Sequence, residues 1–106
     1  LPENVIVLYD DLDLPIGRMK ISFDRGSGGH NGIRSIESHL GSRQFVRIRI
    51  GISKTLPDGT LSKPNVLGNF ERDELKELEG LAPKIRSAIS LIAQQGREKA
   101  MTEFNQ

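Results

Sequence analysis

Cysteine and tryptophan are absent from the 106-residue sequence, and aromatic side chains make up only 5% of it. Without cysteine the chain can form neither a disulfide framework nor a thiolate metal site, which is compatible with a reducing compartment. No apolar run approaches the length needed to cross a bilayer, and no signal-like start is present. The sequence therefore predicts a cytoplasmic protein without membrane contact, built as the single domain 1–106 around a modest core.

A large excess of one charge is also lacking, because 15 Lys and Arg face 14 Asp and Glu. Any affinity for nucleic acid must therefore come from where the charges lie. Between Gly17 and Lys54 only Asp24 and Glu37 oppose a series of basic residues. These are Arg18, Lys20, Arg25, Arg34, Arg43, Arg47 and Arg49. This distribution predicts a basic surface formed by the middle of the chain.

The apolar pattern predicts three strands. The continuous apolar run over 5–8 is typical of a strand buried on both faces, which residues 10–15 close, and Leu-Pro-Ile-Gly over 14–17 predicts a turn. Polar and apolar residues alternate over 18–23 and 45–52, as in strands with one exposed face. The basic side chains of these two strands are expected on their exposed faces.

Three helices are predicted after the second strand. The segment 31–40 has helical spacing and is closed by Gly41, and 97–104 forms a final short helix. A long apolar stripe between them continues in phase through Pro83, which predicts one kinked helix or two nearly collinear ones. The stripe consists of Leu75, Leu78, Ala82, Ile85, Ile89 and Ile92. Turn-forming residues over 53–64 predict a surface loop.

A glycine-rich loop precedes the first helix. Four glycines lie among the seven positions 26–32, and His30 and Asn31 are the polar side chains of reach that remain. Because the loop enters a helix N-terminus, backbone N–H groups and the positive end of the helix dipole gather there. That arrangement suits a carbonyl, carboxylate or phosphate oxygen. Taken alone, the glycines fit a plain turn equally well.

Two stretches in this order resemble the signatures of the bacterial-type peptidyl-tRNA hydrolases. Residues 9–17 are similar to the family's Asp-x-Leu-Asp-Leu-Pro-x-Gly motif, and 28–32, Gly-Gly-His-Asn-Gly, to its second motif. The segments 45–52, 66–70 and 100–105 also resemble family sequence. The resemblance implies a single α/β domain with a twisted mixed β-sheet and helices on both faces, of which this chain would be an incomplete, C-terminal part.

The same resemblance implies a peptidyl-tRNA hydrolase, an enzyme that hydrolyses the ester between a peptide and the tRNA 3′ ribose. The family's general-base histidine belongs to an N-terminal half without counterpart here, so the chain alone is expected to be inactive. A missing half would also expose a strand edge, which predicts self-association or peptide capture. The family chemistry needs no cofactor or metal, and no His, Asp or Glu spacing suggests one.

The resemblance further implies roles for single residues. Asp10 would hold the base imidazole in one tautomer and stabilise its charged form, and Asn31 would hydrogen-bond the attacking water or the substrate carbonyl. Gly28 and Gly29 would let the peptide lie close to the backbone, and His30 would contact substrate without being the base. From the residues alone, Asp10 could instead cap a turn, and Asn31 could be the N-cap of the helix.

Positive charge is implied at the positions where the family contacts tRNA phosphates. Lys20 and Arg49, both expected on exposed strand faces, and Arg25 in the loop match this role. Such contacts give affinity without reading sequence. Ser22 departs from the family, which often has a basic residue there. Asp11 and Asp13 are predicted to be turn residues.

Two other functions are compatible with parts of the sequence. A catalytically silent RNA-binding relative, of the kind that assists intron splicing in plant organelles, would keep the basic face without needing a base beside Asp10. A nucleotide-binding module would need a P-loop or a dinucleotide fingerprint, and residues 26–32 match neither.

Overall fold

A computed structural model of the chain describes residues 1–27, 30–62 and 72–105. In these ranges a 3-10 turn, Pro2–Asn4, is followed by strands and α-helices in mixed order. The elements are β1 (Ile6–Pro15), β2 (Met19–Phe23), α1 (Asn31–Leu40), β3 (Val46–Thr55), β4 (Leu61–Ser62), α2 (Arg72–Gln95) and α3 (Arg97–Phe104). The predicted mixed α/β chain is confirmed. No helix of these ranges is long and apolar enough to cross a membrane.

The strands form one mixed sheet around β3. Its order is β1-β3-β2, with β4 paired to the end of β3. β1 runs parallel to β3, from Ile6 opposite Val46 to Pro15 opposite Ser53, whereas β2 and β4 are antiparallel to β3. Within the described residues, β1 is paired on one side only. Its other edge is therefore open there, and β3 is the buried centre of the sheet.

Side chains of β3 alternate between two covered faces. Val46 and Ile48 belong to a core shared with β2, α2 and α3. That core includes Met19, Ile21, Leu81, Ala88 and Ala100. Arg47, between them, points the opposite way and pairs with Glu37 of α1. Helices therefore cover both faces of the sheet, as predicted, with α1 on one and α2 and α3 on the other.

β1 is longer and more exposed than the sequence predicts. The predicted end of the first strand after residue 8 is wrong, because β1 continues to Pro15, whereas the turn predicted over 14–17 is confirmed at Ile16 and Gly17. Burial on both faces is also wrong, since Leu8 is 49% exposed and β1 is an edge strand in the described structure. The pairing with β3 is irregular between Asp11 and Pro15, and the N–H of Asp13 donates to the Asp11 carboxylate at 2.8 Å. The aspartates therefore mark a local bulge in the strand.

The surface loop predicted over 53–64 is wrong at 53–55 and 61–62, which belong to strands. β3 continues into this segment and β4 returns antiparallel to it, so most of the segment is a hairpin. Ser53 is fully buried, and its hydroxyl donates to the carbonyl oxygen of Leu12 at 2.5 Å. Residues 63–64 and the family-like segment 66–70 lie outside the described residues.

The first helix has the predicted bounds. α1 ends at Gly41, whose φ of 67° is left-handed and whose N–H donates to the carbonyl oxygen of Glu37 at 2.9 Å. Glycine suits this position because it has no Cβ to strain. The boundary was predictable because the cap is a local feature of the chain.

The second helix is continuous through Pro83, so the two-helix alternative is wrong. The predicted apolar stripe is confirmed in part, because Ile85 and Ile92 pack against the core, but the fully buried residues of α2 are Leu81 and Ala88. Two stripe residues, Leu75 and Ile89, are 46% and 40% exposed. Two neighbouring stripes of this helix are apolar, and only the sheet packed against it decides which one is covered.

The C-terminal helix closes the outer edge of β2. α3 packs Met101 and Phe104 against the core, as predicted. Beyond it, Asn105 accepts from the N–H of Ile21 at 2.7 Å and donates to the carbonyl oxygen of the same residue at 2.8 Å. One side-chain amide thus takes the place of a neighbouring strand.

Replacing Asn105 with alanine is expected to lower the free energy of unfolding by about 2 kcal/mol, because two partly buried backbone groups lose their partner. Chemical denaturation measures this loss, and hydrogen exchange at the Ile21 amide locates it. Gln94→Ala, an exposed amide of α2, serves as the control and should change neither. Unchanged protection of Ile21 in the Asn105 variant would contradict the assignment.

Candidate active site

Asp10 and His30 meet at the open edge of β1. Asp10 lies in the middle of that strand, and His30 immediately precedes α1. Asp10 Oδ1 is 3.3 Å from His30 Nε2, and the Asp10 side chain is 48% exposed. The His30 ring also makes an edge contact with Tyr9, with ring centroids 5.1 Å apart. Asp10 therefore accepts a hydrogen bond from an imidazole while remaining open to solvent.

The tautomer of His30 follows from the partner of its second nitrogen. Nδ1 accepts from the backbone N–H of Ile33 at 3.3 Å, which assigns the ring proton to Nε2, facing Asp10. His30 is therefore the N-cap of α1, and the alternative that placed the N-cap at Asn31 is wrong. A lone pair that caps a helix is not free to take a proton from water. This geometry favours the prediction that His30 is not the base.

Gly32 leaves room for the His30 ring to fold back over the helix N-terminus. A Cβ at Gly32 would lie 3.1 Å from His30 Cε1 and 3.3 Å from His30 Nδ1. Asn31, between the two, is the first residue of α1 and is exposed. The predicted catalytic residues Asp10 and Asn31 therefore both lie next to His30, one through space and one along the chain.

A buried ion pair lies on β1 and β3 beside this site. Arg49 Nη1 is 2.9 Å from Asp11 Oδ2, and Arg49 Nε donates to Ser22 Oγ at 3.1 Å. The prediction that Arg47 and Arg49 are exposed is wrong, since they are 0% and 7% exposed. The alternating pattern correctly placed Arg47 and Arg49 on the same face of β3, but α1 and the Asp11 carboxylate cover that face. A contact between Arg49 and tRNA stays a prediction, and the pair with Asp11 opposes it.

Arg47 ties the loop before α1 to the sheet. Its guanidinium donates to the backbone oxygens of Arg25, Gly26 and Arg43 and to the carboxylate of Glu37. It also lies over the ring of Phe45, 4.2 Å from the centroid. Its Nε is buried without a hydrogen-bond partner in the described parts of the chain. One side chain thus fixes the loop and α1, and with them the position of His30.

The polar face under α1 holds two ion pairs, Arg47 with Glu37 and Arg49 with Asp11. Burial lowers the pKa of Arg47, and Tyr9 and Glu37 oppose that shift. Burial also raises the pKa of Tyr9, while Arg49, Arg47 and Arg25 pull it down. At neutral pH Arg47 remains charged and the Tyr9 phenol remains protonated. The two pairs therefore leave no excess of positive charge on this face.

Arg47→Met should lower the free energy of unfolding by about 3 kcal/mol, because it leaves Glu37 and three backbone oxygens without their donor. Guanidinium denaturation measures the change. Arg43→Met is the matched control. The Arg43 side chain is 57% exposed, and its ion pair with Asp24 is long, at 3.7 Å. Its loss should therefore cost less than about 1 kcal/mol. Equal losses in the two variants would show that Arg47 does not hold the loop.

The remaining predicted site residues divide by position. Lys20 and Arg25 are exposed, as expected of phosphate contacts, whereas Gly28 and Gly29 lie outside the described residues. Within 1–27, 30–62 and 72–105, no three His, Asp or Glu side chains lie close enough to share a metal ion. The sequence did not predict that Arg47 joins the loop before α1 to the sheet. Two arginines that alternate with branched apolar residues on a central strand could have indicated that acidic residues cover the face on which the arginines lie.

Comparison with known proteins gives a uniform result. The family model described as peptidyl-tRNA hydrolase matches residues 1–106. A peptidyl-tRNA hydrolase of Desulfitobacterium hafniense is 40% identical over 104 residues, which cover 98% of this chain and 56% of the relative. One of Syntrophotalea carbinolica is 39% identical over 97% of this chain and 53% of its own. The splicing-related alternative finds no support among these relatives. The chain spans about half the length of the curated relatives it matches.

Solved structures agree with the sequence relatives. A crystal structure of peptidyl-tRNA hydrolase from Acinetobacter baumannii is similar to this chain with a TM-score of 0.80 and 29% identity, over 98% of this chain and 52% of the other. A peptidyl-tRNA hydrolase crystallised with N-propanol gives a TM-score of 0.81 and 32% identity over the same shares. The motifs, the fold and these matches agree, and the chain belongs to the peptidyl-tRNA hydrolase family.

Proposed function

We propose that this chain supplies the carboxylate and amide of a peptidyl-tRNA hydrolase site, which cleaves the ester between a peptide and the 3′ ribose of tRNA. The contact between Asp10 and His30 is the observation that carries the proposal. A carboxylate that already accepts an imidazole N–H at 3.3 Å, and is half exposed, can orient a catalytic imidazole in the same way. The family resemblance assigns that base to a histidine outside residues 1–106.

In the proposed reaction, the base takes a proton from a water molecule as its oxygen attacks the ester carbonyl carbon. Asp10 keeps the imidazole in the tautomer whose lone pair faces the water, and it stabilises the imidazolium that forms. The bond from carbon to the ribose 3′ oxygen then breaks, and the proton passes to that oxygen. The products are a peptide carboxylate and free tRNA.

Asn31 is proposed to hold the reacting carbonyl or the water. Its amide offers both a donor and an acceptor without charge, and it is exposed at the first position of α1. The partial positive charge of a helix N-terminus favours the oxyanion that develops on the carbonyl oxygen. Gly28 and Gly29 keep their predicted role beside the peptide, and His30 its predicted substrate contact.

Lys20 and Arg25 are proposed to contact phosphates of the acceptor end. Both are exposed, and Arg25 lies on the loop whose backbone Arg47 fixes. Contacts to phosphate do not depend on base sequence, which suits an enzyme that must accept many tRNAs. A cytoplasmic location, a single domain and an open strand edge that captures peptides or a second copy also remain predictions.

The test measures release of labelled N-acetyl amino acid from N-acetyl-aminoacyl-tRNA. The 106-residue chain is compared with a chimera that carries the upstream half of the Desulfitobacterium hafniense relative. We expect slow or no hydrolysis by the chain alone and rapid hydrolysis by the chimera. A folded chimera that binds tRNA without hydrolysing the ester would contradict the proposal.

The chain alone also provides a test of the base. Hydrolysis by the 106 residues that disappears in His30→Asn would assign the base to His30, which would overturn the account of its capped Nδ1. The substitution keeps a side chain that can cap the helix, so a general loss of folding is not expected.

A further inference from the structure

A cleft opens between the β1–β2 turn and the helices α2 and α3. It encloses about 210 Å³. Its lining consists of Leu14, Pro15, Gly17, Arg18, Met19, Lys20, Lys84 and Phe104. Pro15 is five residues of extended strand from Asp10, about 16 Å along β1. The cleft is therefore separate from the contact between Asp10 and His30.

Three cations surround this cleft. Arg18, Lys20 and Lys84 come from the turn, β2 and α2, and all three are exposed. None of them has an ion-pair partner within the described residues. An acidic side chain, Glu77, lies near the turn, since its Oε2 would be 2.9 Å from a Cβ at Gly17, but it does not line the cleft. The lining of the cleft therefore includes three cations and no carboxylate, with Glu77 beside the turn.

The floor of the cleft is apolar. Its apolar lining residues are Leu14, Pro15, Met19 and Phe104. A small volume with an aromatic residue in its lining suits one planar group, and it is below the usual range for larger ligands. Phosphate at the rim and a base on the floor together make a nucleotide, which combines the two interactions that hold single nucleotides of RNA on proteins.

We propose that this cleft binds one nucleotide, with its phosphate held by Arg18, Lys20 and Lys84 and its base packed on Phe104. The nucleotide can be free in solution or part of a single-stranded RNA, because both present the same phosphate and base. Binding here involves no ester cleavage. The proposal shares Lys20 with the proposed tRNA contact, but it depends on no residue proposed to cleave the ester, so hydrolysis can fail while AMP still binds here.

The test is a titration of the labelled 106-residue chain with AMP, followed by two-dimensional NMR. We expect the backbone signals of Gly17, Met19 and Phe104 to move, while those of Asp10 and His30 do not. Adenosine and inorganic phosphate, titrated separately, should bind at least tenfold more weakly than AMP. A parallel titration with the trinucleotide ApApA distinguishes the sources. Tighter binding than AMP assigns the cleft to RNA, and weaker or equal binding assigns it to a free nucleotide.

Variants on α2 provide the control. Lys84→Gln should raise the dissociation constant for AMP at least fivefold, whereas Arg86→Gln, an exposed cation of the same helix outside the cleft, should leave it unchanged. Phe104→Leu should weaken AMP and leave inorganic phosphate unaffected. Equal effects of Lys84→Gln and Arg86→Gln, or signal changes spread over all exposed cations, would overturn the site and indicate general attraction of anions.

Discussion

Gly51→Ala is expected to destabilise the protein by more than about 4 kcal/mol, which is among the largest effects of single substitutions. A Cβ at Gly51 would lie 1.9 Å from the carbonyl oxygen of Pro15, 2.7 Å from its carbonyl carbon and 2.8 Å from that of Leu14. All three atoms belong to the backbone, so no side chain can turn aside. The N–H of Gly51 also donates to the carbonyl oxygen of Arg18 at 2.9 Å, which resists any shift of β3.

Thermal unfolding followed by circular dichroism measures the effect. A loss of this size should lower Tm by about 16 °C or more in a domain of this length. Gly80→Ala is the matched control, because a Cβ there meets no atom within 4 Å and the residue lies inside α2. That substitution should stabilise the protein by about 0.5–1 kcal/mol through helix propensity. A Gly51 variant with the same Tm as the parent would show that β1 does not approach β3 this closely.

The second large effect concerns activity. Asp10→Asn in the active chimera is expected to lower kcat/KM for N-acetyl-aminoacyl-tRNA by a factor of about 10² to 10⁴. The amide has the shape of the carboxylate but neither holds the imidazole in the required tautomer nor stabilises its charged form. Binding of tRNA should change little, since the affinity is proposed to come from phosphate contacts.

Asp13→Asn tests whether lost charge alone explains the result. It removes one carboxylate from the same strand, and its side chain is exposed. Steady-state kinetics should show less than a twofold change for this variant, and thermal unfolding should show both proteins folded. If the two substitutions slowed hydrolysis equally, Asp10 would have no special part in the reaction.

The sequence predicts local features well because their causes lie within a few residues. The helix α1 and its end at Gly41 depend on spacing and one left-handed residue, and both are confirmed. The alternation on β3 correctly separated Arg47 and Arg49 from the apolar residues between them. It could not say that this second face is covered, because the cover comes from Glu37 and Asp11, which the fold brings from other elements.

The site was only partly predictable for the same reason. Family motifs indicated Asp10 and Asn31, which have recognisable neighbours in the sequence. The contact between Asp10 and His30 joins a strand to a helix cap 20 positions away, and the capping role of His30 depends on Gly32 leaving space for its ring. Side-chain geometry of this kind becomes visible only when the elements are packed.

The side-chain amide of Asn105, which hydrogen-bonds the outer edge of β2, is synthesised long after that strand. Asn105 lies 84 positions after Ile21. A ribosome adding roughly 5–20 residues per second needs about 4 to 17 s to make that stretch. Throughout this interval β2 has no side chain to occupy its outer N–H and carbonyl groups. Each newly made molecule therefore passes through seconds in which other nascent chains can pair with that edge, and slower translation lengthens that exposure.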